Sequence, residues 1–228
     1  AKVKKMQMSD GISMVLALCG VSLAGILIGE GVVKLLSLMG LHGAGKAMDV
    51  PYGSFPALVL FILTILIISP VFEEFLVRGI MLTLIKTWGG TVAILSTSLL
   101  FAVMHSGLAQ AVEAFVFSLA VAWFVITFGS LRWAVISHIT VNCIAIFEKL
   151  LRREIGAIAF SRFQIAFYIV IAILAVLSLW RLQKRHGISK KLKIDIKITK
   201  KEFLELFLNP AAIAFYGLIL FGLISSVL

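Results

Sequence analysis

Charged residues are scarce in this chain of 228 residues. Asp, Glu, Lys and Arg together make up 14% of it, whereas hydrophobic residues make up 61% and the mean hydropathy is +1.10. A soluble globular domain carries about 25% charged residues. The composition therefore excludes an ordinary water-soluble domain and predicts a membrane protein, in which the bilayer is the solvent for most side chains.

The sequence also lacks ten-residue segments of alternating polarity, which disfavours a transmembrane barrel against a helical bundle. It contains instead apolar runs near the roughly 20 residues that a helix needs to cross a bilayer. These runs are residues 11–39, 55–85, 91–106, 109–129, 131–148, 160–181 and 206–227. No internal repeat or low-complexity linker divides the chain. We therefore expect an all-α, polytopic bundle of about seven transmembrane helices, with residues 1–228 forming one domain.

Cysteine and histidine are rare as well. Both cysteines, Cys19 and Cys143, fall in apolar runs without metal-ligand spacing, so we expect two small buried hydrophobic residues and no disulfide framework. His42 and His186 fall between the apolar runs and are predicted to be solvated loop residues.

Acidic residues are outnumbered, with 11 Asp and Glu against 21 Lys and Arg, a net charge of +10. The basic residues concentrate in alternate loops, which disfavours nucleic-acid binding and indicates membrane topology. The positive-inside rule predicts a multi-pass protein of the cell membrane with a cytoplasmic N-terminus and an outer C-terminus, although Arg152 and Arg153 depart from it. The basic loop 181–201 is predicted to attract anionic lipid.

Three short motifs place polar groups inside these apolar runs. They are Glu73-Glu74-Phe75-Leu76-Val77-Arg78, Phe101-Ala102-Val103-Met104-His105 and His138-Ile139-Thr140-Val141-Asn142. An ionisable side chain at membrane depth costs at least about 2.5 kcal/mol, so it normally faces a protein interior or a wet cavity and marks function. We therefore expect an active site.

Helical spacing predicts how these motifs meet. Residues four apart share a helix face, so Glu74 pairs with Arg78, while Glu73 points elsewhere without that partner. The same spacing places Phe101 with His105, and His138 with Asn142. Counted from the inner loop ends at about 1.5 Å per residue, Glu73 and His105 both lie roughly 20 Å deep, and the other motif groups lie at overlapping levels. The three motifs are predicted to form one site.

The ordered triplet Glu-Glu-x-x-x-Arg, Phe-x-x-x-His and His-x-x-x-Asn resembles the CAAX prenyl protease and bacteriocin-processing (CPBP, or Abi) family of intramembrane proteases. The resemblance covers about residues 69–146 and implies a catalytic core at about 55–148. It implies an intramembrane endopeptidase of the glutamic type. Its substrate would be a membrane-associated protein or peptide, either CAAX-like, a leader peptide or a C-terminal sorting signal. The short loops favour a prokaryotic member.

The resemblance also implies a role for each motif residue. Glu73 would be the general base that activates water, assisted by His105, while Glu74 and Arg78 shape the site. His138 and Asn142 would stabilise the oxyanion of the tetrahedral intermediate. No serine or cysteine nucleophile is required, and Ser137 and Cys143, which adjoin the third motif, do not share the face of His138 and Asn142.

Two alternatives stay open at this point. Glu73, His105 and His138 could supply a zinc site with two histidines and one carboxylate, although the sequence has no compact His-Glu-x-x-His helix and a cofactor-free site is favoured. The same polar cluster could instead serve an ion- or proton-coupled transporter, or persist in a noncatalytic scaffold or immunity protein.

Two further residues have expected local effects. Pro70, three residues before Glu73, has no N–H and is predicted to disturb the helix or free a carbonyl at the level of the site. Glu113 lies near the start of the fourth span, where the helix dipole favours a carboxylate, and a position in the wall of the cavity is the alternative.

Overall fold

The computed structural model describes residues 6–40, 50–105, 107–191, 194–210, 213, 214 and 217. Within these ranges the chain is helical and no strand occurs. The first four helices are α1 (Met8–Leu38), α2 (Phe55–Trp88), α3 (Gly90–Val103) and α4 (Leu108–Phe128). A long helical stretch, Leu131–His186, follows, and a short helix, Lys200–Phe207, lies near the end of the described residues.

The long stretch reverses direction at Gly156, whose backbone is non-helical (φ 76°, ψ 166°). Residues 131–155 form α5 and residues 157–186 form α6. Trp133 near the start of α5 and Leu182 near the end of α6 pack in the same core cluster, so the two helices are antiparallel. Glycine suits the break because positive φ is strained for residues with a Cβ atom. The predicted fifth and sixth spans therefore correspond to α5 and α6.

Helix α1 lies in the centre of the bundle, against α4, α5 and α6. Its Met14 and Leu18 are fully buried against Phe117 and Phe124 of α4. Small residues let the helices approach closely, as the sequence of α1 suggests. At Gly25, for example, an added Cβ atom would lie 3.0 Å from the Cα atom of Glu113.

The outer faces of the bundle are apolar and exposed, most of all on α2, where no residue of Phe55–Leu63 is buried. Four helical stretches are long and apolar enough to cross a membrane, namely Met8–Leu38, Phe55–Trp88, Leu108–Phe128 and Leu131–His186. Helix α3 is shorter. The predicted all-α, multi-pass architecture is confirmed, whereas most of the seventh predicted span lies outside the described residues.

A buried ion cluster joins α1 to α6 at one end of the bundle. Asp10 is fully buried and lies 3.2 Å from Arg185 Nε and 3.1 Å from His186 Nε2. The prediction that His186 is solvated was wrong, because this carboxylate and the ring of Phe128 enclose it. His42 lies outside the described residues. Cys19 is buried as predicted, but Cys143 is exposed on the apolar surface.

An extended strap, residues 194–198, clamps the turn between α2 and α3. The Trp88 carbonyl accepts from the N–H groups of Lys197 (2.8 Å) and Ile198 (3.1 Å), and the Asp195 carbonyl accepts from the Thr91 N–H (3.1 Å). Gly89 allows this contact: its φ is +110°, and a Cβ atom there would lie 2.3 Å from the Asp195 carbonyl oxygen. The two helices that carry the first and second motifs are thus fixed by a distant part of the chain.

Candidate active site

Glu74 and Arg78 form an ion pair in the interior of the bundle, as their spacing predicts. Glu74 Oε1 lies 3.1 Å from an Arg78 amino nitrogen, and both side chains are fully buried. The other Arg78 amino group donates to Ser118 Oγ on α4 at 2.7 Å, and the guanidinium lies over the Phe101 ring, 4.5 Å from its centroid. Arg78 therefore links α2 to α3 and α4.

His138 on α5 lies between the two carboxylates of the first motif. Its Nδ1 is 3.1 Å from Glu74 Oε1, and its Nε2 is 3.8 Å from Glu73 Oε2. An Nδ1–H that donates to Glu74 fixes the tautomer and turns Nε2 toward Glu73. The imidazole thus connects the arginine-paired carboxylate with the carboxylate that has no arginine.

Glu73 differs from Glu74 in both exposure and partners. Its side chain is 19% exposed, whereas that of Glu74 is 0% exposed. The Ser69 hydroxyl, one turn earlier on α2, donates to Glu73 Oε1. The arginine pairs with Glu74 and not with Glu73, as the spacing predicts, but the two carboxylates do not point to different places, since both reach the same imidazole ring.

His105 lies just beyond the end of α3, not on it. The helix ends at Val103, the His105 N–H bonds to the Ala102 carbonyl at 3.1 Å, and His105 Nδ1 lies 2.8 Å from the Phe101 carbonyl oxygen. The imidazole therefore satisfies a carbonyl that the helix end leaves without a partner. The expected contact with Phe101 is still made, since the two ring centroids are 5.0 Å apart.

Asn142 binds a backbone carbonyl of α2 that Pro70 leaves without a donor. Residues Thr64–Ile68 form a π-helical turn, in which the Ser69 N–H bonds to the Thr64 carbonyl. In that register the next donor, for the Ile65 carbonyl, would be residue 70, and Pro70 has no N–H. The Asn142 amide donates to the Ile65 oxygen instead, at 2.9 Å. The predicted irregularity and free carbonyl near Pro70 are both confirmed.

A cavity opens beside these groups. It is lined by Phe101, His105, Gln110, Glu113, Ala114, Phe117, His138, Val141 and Asn142. Both motif histidines and the asparagine therefore line one cavity, whereas the fully buried Glu74 and Arg78 are not part of its lining. Glu73 is not part of the lining and reaches the cavity side through His138.

Sequence reasoning did not find two of the groups around this site, and for Glu113, which lines the cavity, it preferred a helix-dipole role to the cavity position that it kept as the alternative. Ser69 and Ser118 bind Glu73 and Arg78, respectively. Serine is common in apolar helices, so only the positions of Ser69 and Glu73, four apart on one helix, gave a signal that could have been used.

The proposed zinc ligands do not form a compact ligand set. Among the described residues, no group of three or more His, Cys, Asp or Glu side chains is arranged to hold a metal ion. His138 has its Nδ1 on Glu74 and His105 has its Nδ1 on a carbonyl, which leaves one ring nitrogen on each. A metal-ligating histidine is anchored in the same way, so these hydrogen bonds leave the zinc alternative open.

Comparison with known families identifies the segment that carries the site. Residues 55–144 match the sequence model of a family described as Type II CAAX prenyl endopeptidase Rce1-like. We refer to this segment as the Rce1-like domain. It begins at the first residue of α2 and ends two residues after Asn142, so it contains all three motifs. The comparison with curated proteins found no match, and neither did the comparison with solved structures.

The match supports the resemblance noted in the sequence. The matched family is described as a CAAX prenyl endopeptidase, which agrees with the endopeptidase that the motifs imply. In this chain the Rce1-like domain comprises α2, α3, α4 and the first half of α5. Helices α1 and α6 pack around it and lie outside the matched segment.

Proposed function

We propose that this protein is a metal-independent intramembrane endopeptidase in which Glu73 is the general base and residues 1–228 form one domain. The observation that carries the proposal is the position of His138 between Glu73 and Glu74. Arg78 compensates the charge of Glu74, whereas Glu73 has no arginine and is partly exposed. Two adjacent carboxylates with different environments can divide structural and chemical roles between them.

In this mechanism Glu73 takes a proton from a water molecule, assisted by His105. The water oxygen attacks the carbonyl carbon of the scissile peptide bond, and negative charge develops on the carbonyl oxygen. The C–N bond then breaks, and the leaving amine takes up the proton held by Glu73. Each well-placed donor to the oxyanion contributes about 3 to 4 kcal/mol to catalysis.

Asn142 and His138 are the proposed donors to that oxyanion. Asn142 gives one N–H to the Ile65 carbonyl, which orients its amide, and retains a second N–H on a residue that lines the cavity. His138 gives its Nδ1–H to Glu74, so it donates from Nε2 only when the ring is doubly protonated. Glu74 and Arg78 act by positioning His138.

The first test is cleavage by the full-length protein in native membranes. Peptides released from membrane proteins are compared between cells that produce the protein and cells that produce Glu73→Gln. We expect the variant to fold and to lose turnover by about two orders of magnitude or more, and Ser137→Ala and Cys143→Ala to remain active. Normal cleavage by Glu73→Gln would refute the assigned base.

A second test addresses the zinc and transport alternatives. Cleavage is expected to persist in a strong chelator, so loss on chelation with recovery on added zinc would establish a metalloprotease. In liposomes, proton flux without peptide hydrolysis would indicate that the Glu73–His138–Glu74 chain is a proton relay. The family match favours hydrolysis.

The proposed topology places the strap end of the bundle in the cytoplasm of a prokaryotic cell. Asp10 contacts Arg185 and His186, and Asp195 contacts Gly90, so the start of α1, the α2–α3 turn and the loop 181–201 lie together. Lysines of this loop would bind anionic headgroups of the inner leaflet. Labelling of a cysteine placed at Lys190 by a membrane-impermeant reagent in intact cells would contradict this orientation.

A further inference from the structure

Glu113 is a carboxylate in the cavity wall that belongs to none of the three motifs. Gln110, Glu113, Ala114 and Phe117 follow one another along α4 at helical spacing and all line the cavity. The same cavity is lined by His105, His138 and Asn142. A peptide bound at these three residues would therefore share the cavity with the side chain of Glu113.

The carboxylate is held from α1, a helix outside the Rce1-like domain. Ser22 is buried and donates its hydroxyl to Glu113 Oε1 at 2.6 Å. Gly25, one turn further along α1, allows the helix to lie against the backbone of Glu113. The position of this side chain is therefore fixed by packing and a strong hydrogen bond, as is required of a group that selects substrates.

Glu113 also stands between two cavities. A second cavity lies behind it and shares Glu113 and Val141 with the first. Its wall is largely aliphatic, formed by Leu23, Ile26, Ile144, Ala145 and Ile171 together with Cys19, and the carboxylate of Glu148 lies on it beside Tyr168. An aliphatic channel with carboxylates matches a side chain that has an apolar stem and a cationic end, as lysine and arginine have.

Within the described part of the chain, Glu113 has no lysine or arginine as a partner, and the His138 imidazole of the same cavity carries a positive charge only when it is doubly protonated. The hydrogen-bond partner of Glu113, Ser22, is neutral. A carboxylate at membrane depth is costly unless an opposite charge is supplied. A substrate with a basic residue would supply that charge, whereas one with an acidic residue would add repulsion.

We propose that Glu113 is a specificity-determining residue that selects peptides with a lysine or arginine side chain close to the scissile bond. This inference rests on the proposed endopeptidase function, because it takes the cavity to be the peptide-binding site. Ser22 is the positioning residue for the carboxylate.

The test measures binding, so that it does not depend on turnover. Full-length Glu73→Gln protein in nanodiscs is titrated with fluorescent, lipid-anchored peptides that differ only in carrying Lys, Gln or Glu at one position, which is moved along the peptide. At one position we expect the Lys peptide to bind about tenfold or more tightly than the Glu peptide. The preference is expected to fall below about twofold with Glu113→Gln and to reverse with Glu113→Lys.

Two further variants separate selection from helix packing. Ser22→Ala retains the carboxylate but releases it, so the ratio of Lys-peptide to Glu-peptide affinity should fall toward that of Glu113→Gln. Glu154→Gln removes an exposed carboxylate of α5 and should leave the preference unchanged. If Glu113 only joins α1 to α4, then Glu113→Gln will lower the unfolding midpoint without changing the Lys-to-Glu ratio.

Three results would overturn the inference: no charge preference at any position, a preference that survives Glu113→Gln, or no binding of any peptide. If the peptides show no charge preference but the unmodified protein cleaves normally, the role of Glu113 is rejected and the proposed endopeptidase function stands. A Glu113-dependent preference in a protein that cleaves nothing would instead reject the proposed catalytic function.

Discussion

Replacing Arg78 with methionine tests the ion pair on which the site is built. The substitution keeps much of the side-chain volume and removes the charge that faces Glu74 at 3.1 Å. It also removes the hydrogen bond to Ser118. The Glu74 carboxylate is then left in the interior with His138 as its remaining partner.

The size of the effect follows from burial and distance. At an effective dielectric constant of about 20, unit charges 3.1 Å apart attract by about 5 kcal/mol. Removing one member of a buried pair typically costs about 3 to 5 kcal/mol. We expect the free energy of unfolding to fall by about 3 to 5 kcal/mol in Arg78→Met. The double variant Glu74→Met/Arg78→Met leaves neither member of the pair as an unpaired buried charge. Its free energy of unfolding should therefore fall by no more than that of Arg78→Met.

Unfolding in mixed detergent micelles, followed by tryptophan fluorescence, measures these differences. Arg162→Met is the matched control, since Arg162 is exposed on α6 and its replacement should cost within about 0.5 kcal/mol. The reasoning fails if Arg78→Met is no more than about 1 kcal/mol less stable than this control. It also fails if the double variant loses the sum of the two single effects.

Two other substitutions probe the supports of the site. Asn142→Leu should lower the free energy of unfolding by about 1 to 3 kcal/mol because the Ile65 carbonyl loses its donor. Adding Pro70→Ala to this variant should restore a backbone N–H and recover part of the lost stability. If Asn142→Leu costs the same with and without Pro70→Ala, this explanation is excluded. Gly89→Ala should make the strap more sensitive to proteolysis, because the added Cβ atom meets Asp195 and residue 89 has a positive φ. Gly31→Ala is the control, since a Cβ atom there has nothing within 4 Å. Equal proteolysis of the two variants would contradict the stabilising role of the contact between Gly89 and Asp195.

Local features of the site could be predicted because helical spacing determines them. Glu74 and Arg78 are four apart in one apolar run, so their pairing needs no knowledge of the remaining chain. The free carbonyl near Pro70 follows from the missing N–H of proline. Helix positions follow from the lengths of the apolar runs.

Contacts between helices could not be predicted in the same way. The place of His138 between two carboxylates depends on the rotation of α5 against α2, which an apolar run does not specify. His105 lies beyond its helix because the side chain bonds to the Phe101 carbonyl, a local competition that the motif does not reveal. Glu113 joins the site through Ser22, which is 91 residues away in sequence.

The Rce1-like domain depends on the strap at residues 194–198, which lies outside the domain in sequence. Gly90 and Asp195 are hydrogen-bonded across 105 residues, and the turn they hold joins the helices of the first two motifs. Ser22 provides a similar support from before the domain. A fragment limited to residues 55–144 would retain every motif residue and lose both supports. Transplanting this activity into another membrane protein would therefore require α1 and the strap to be moved with it.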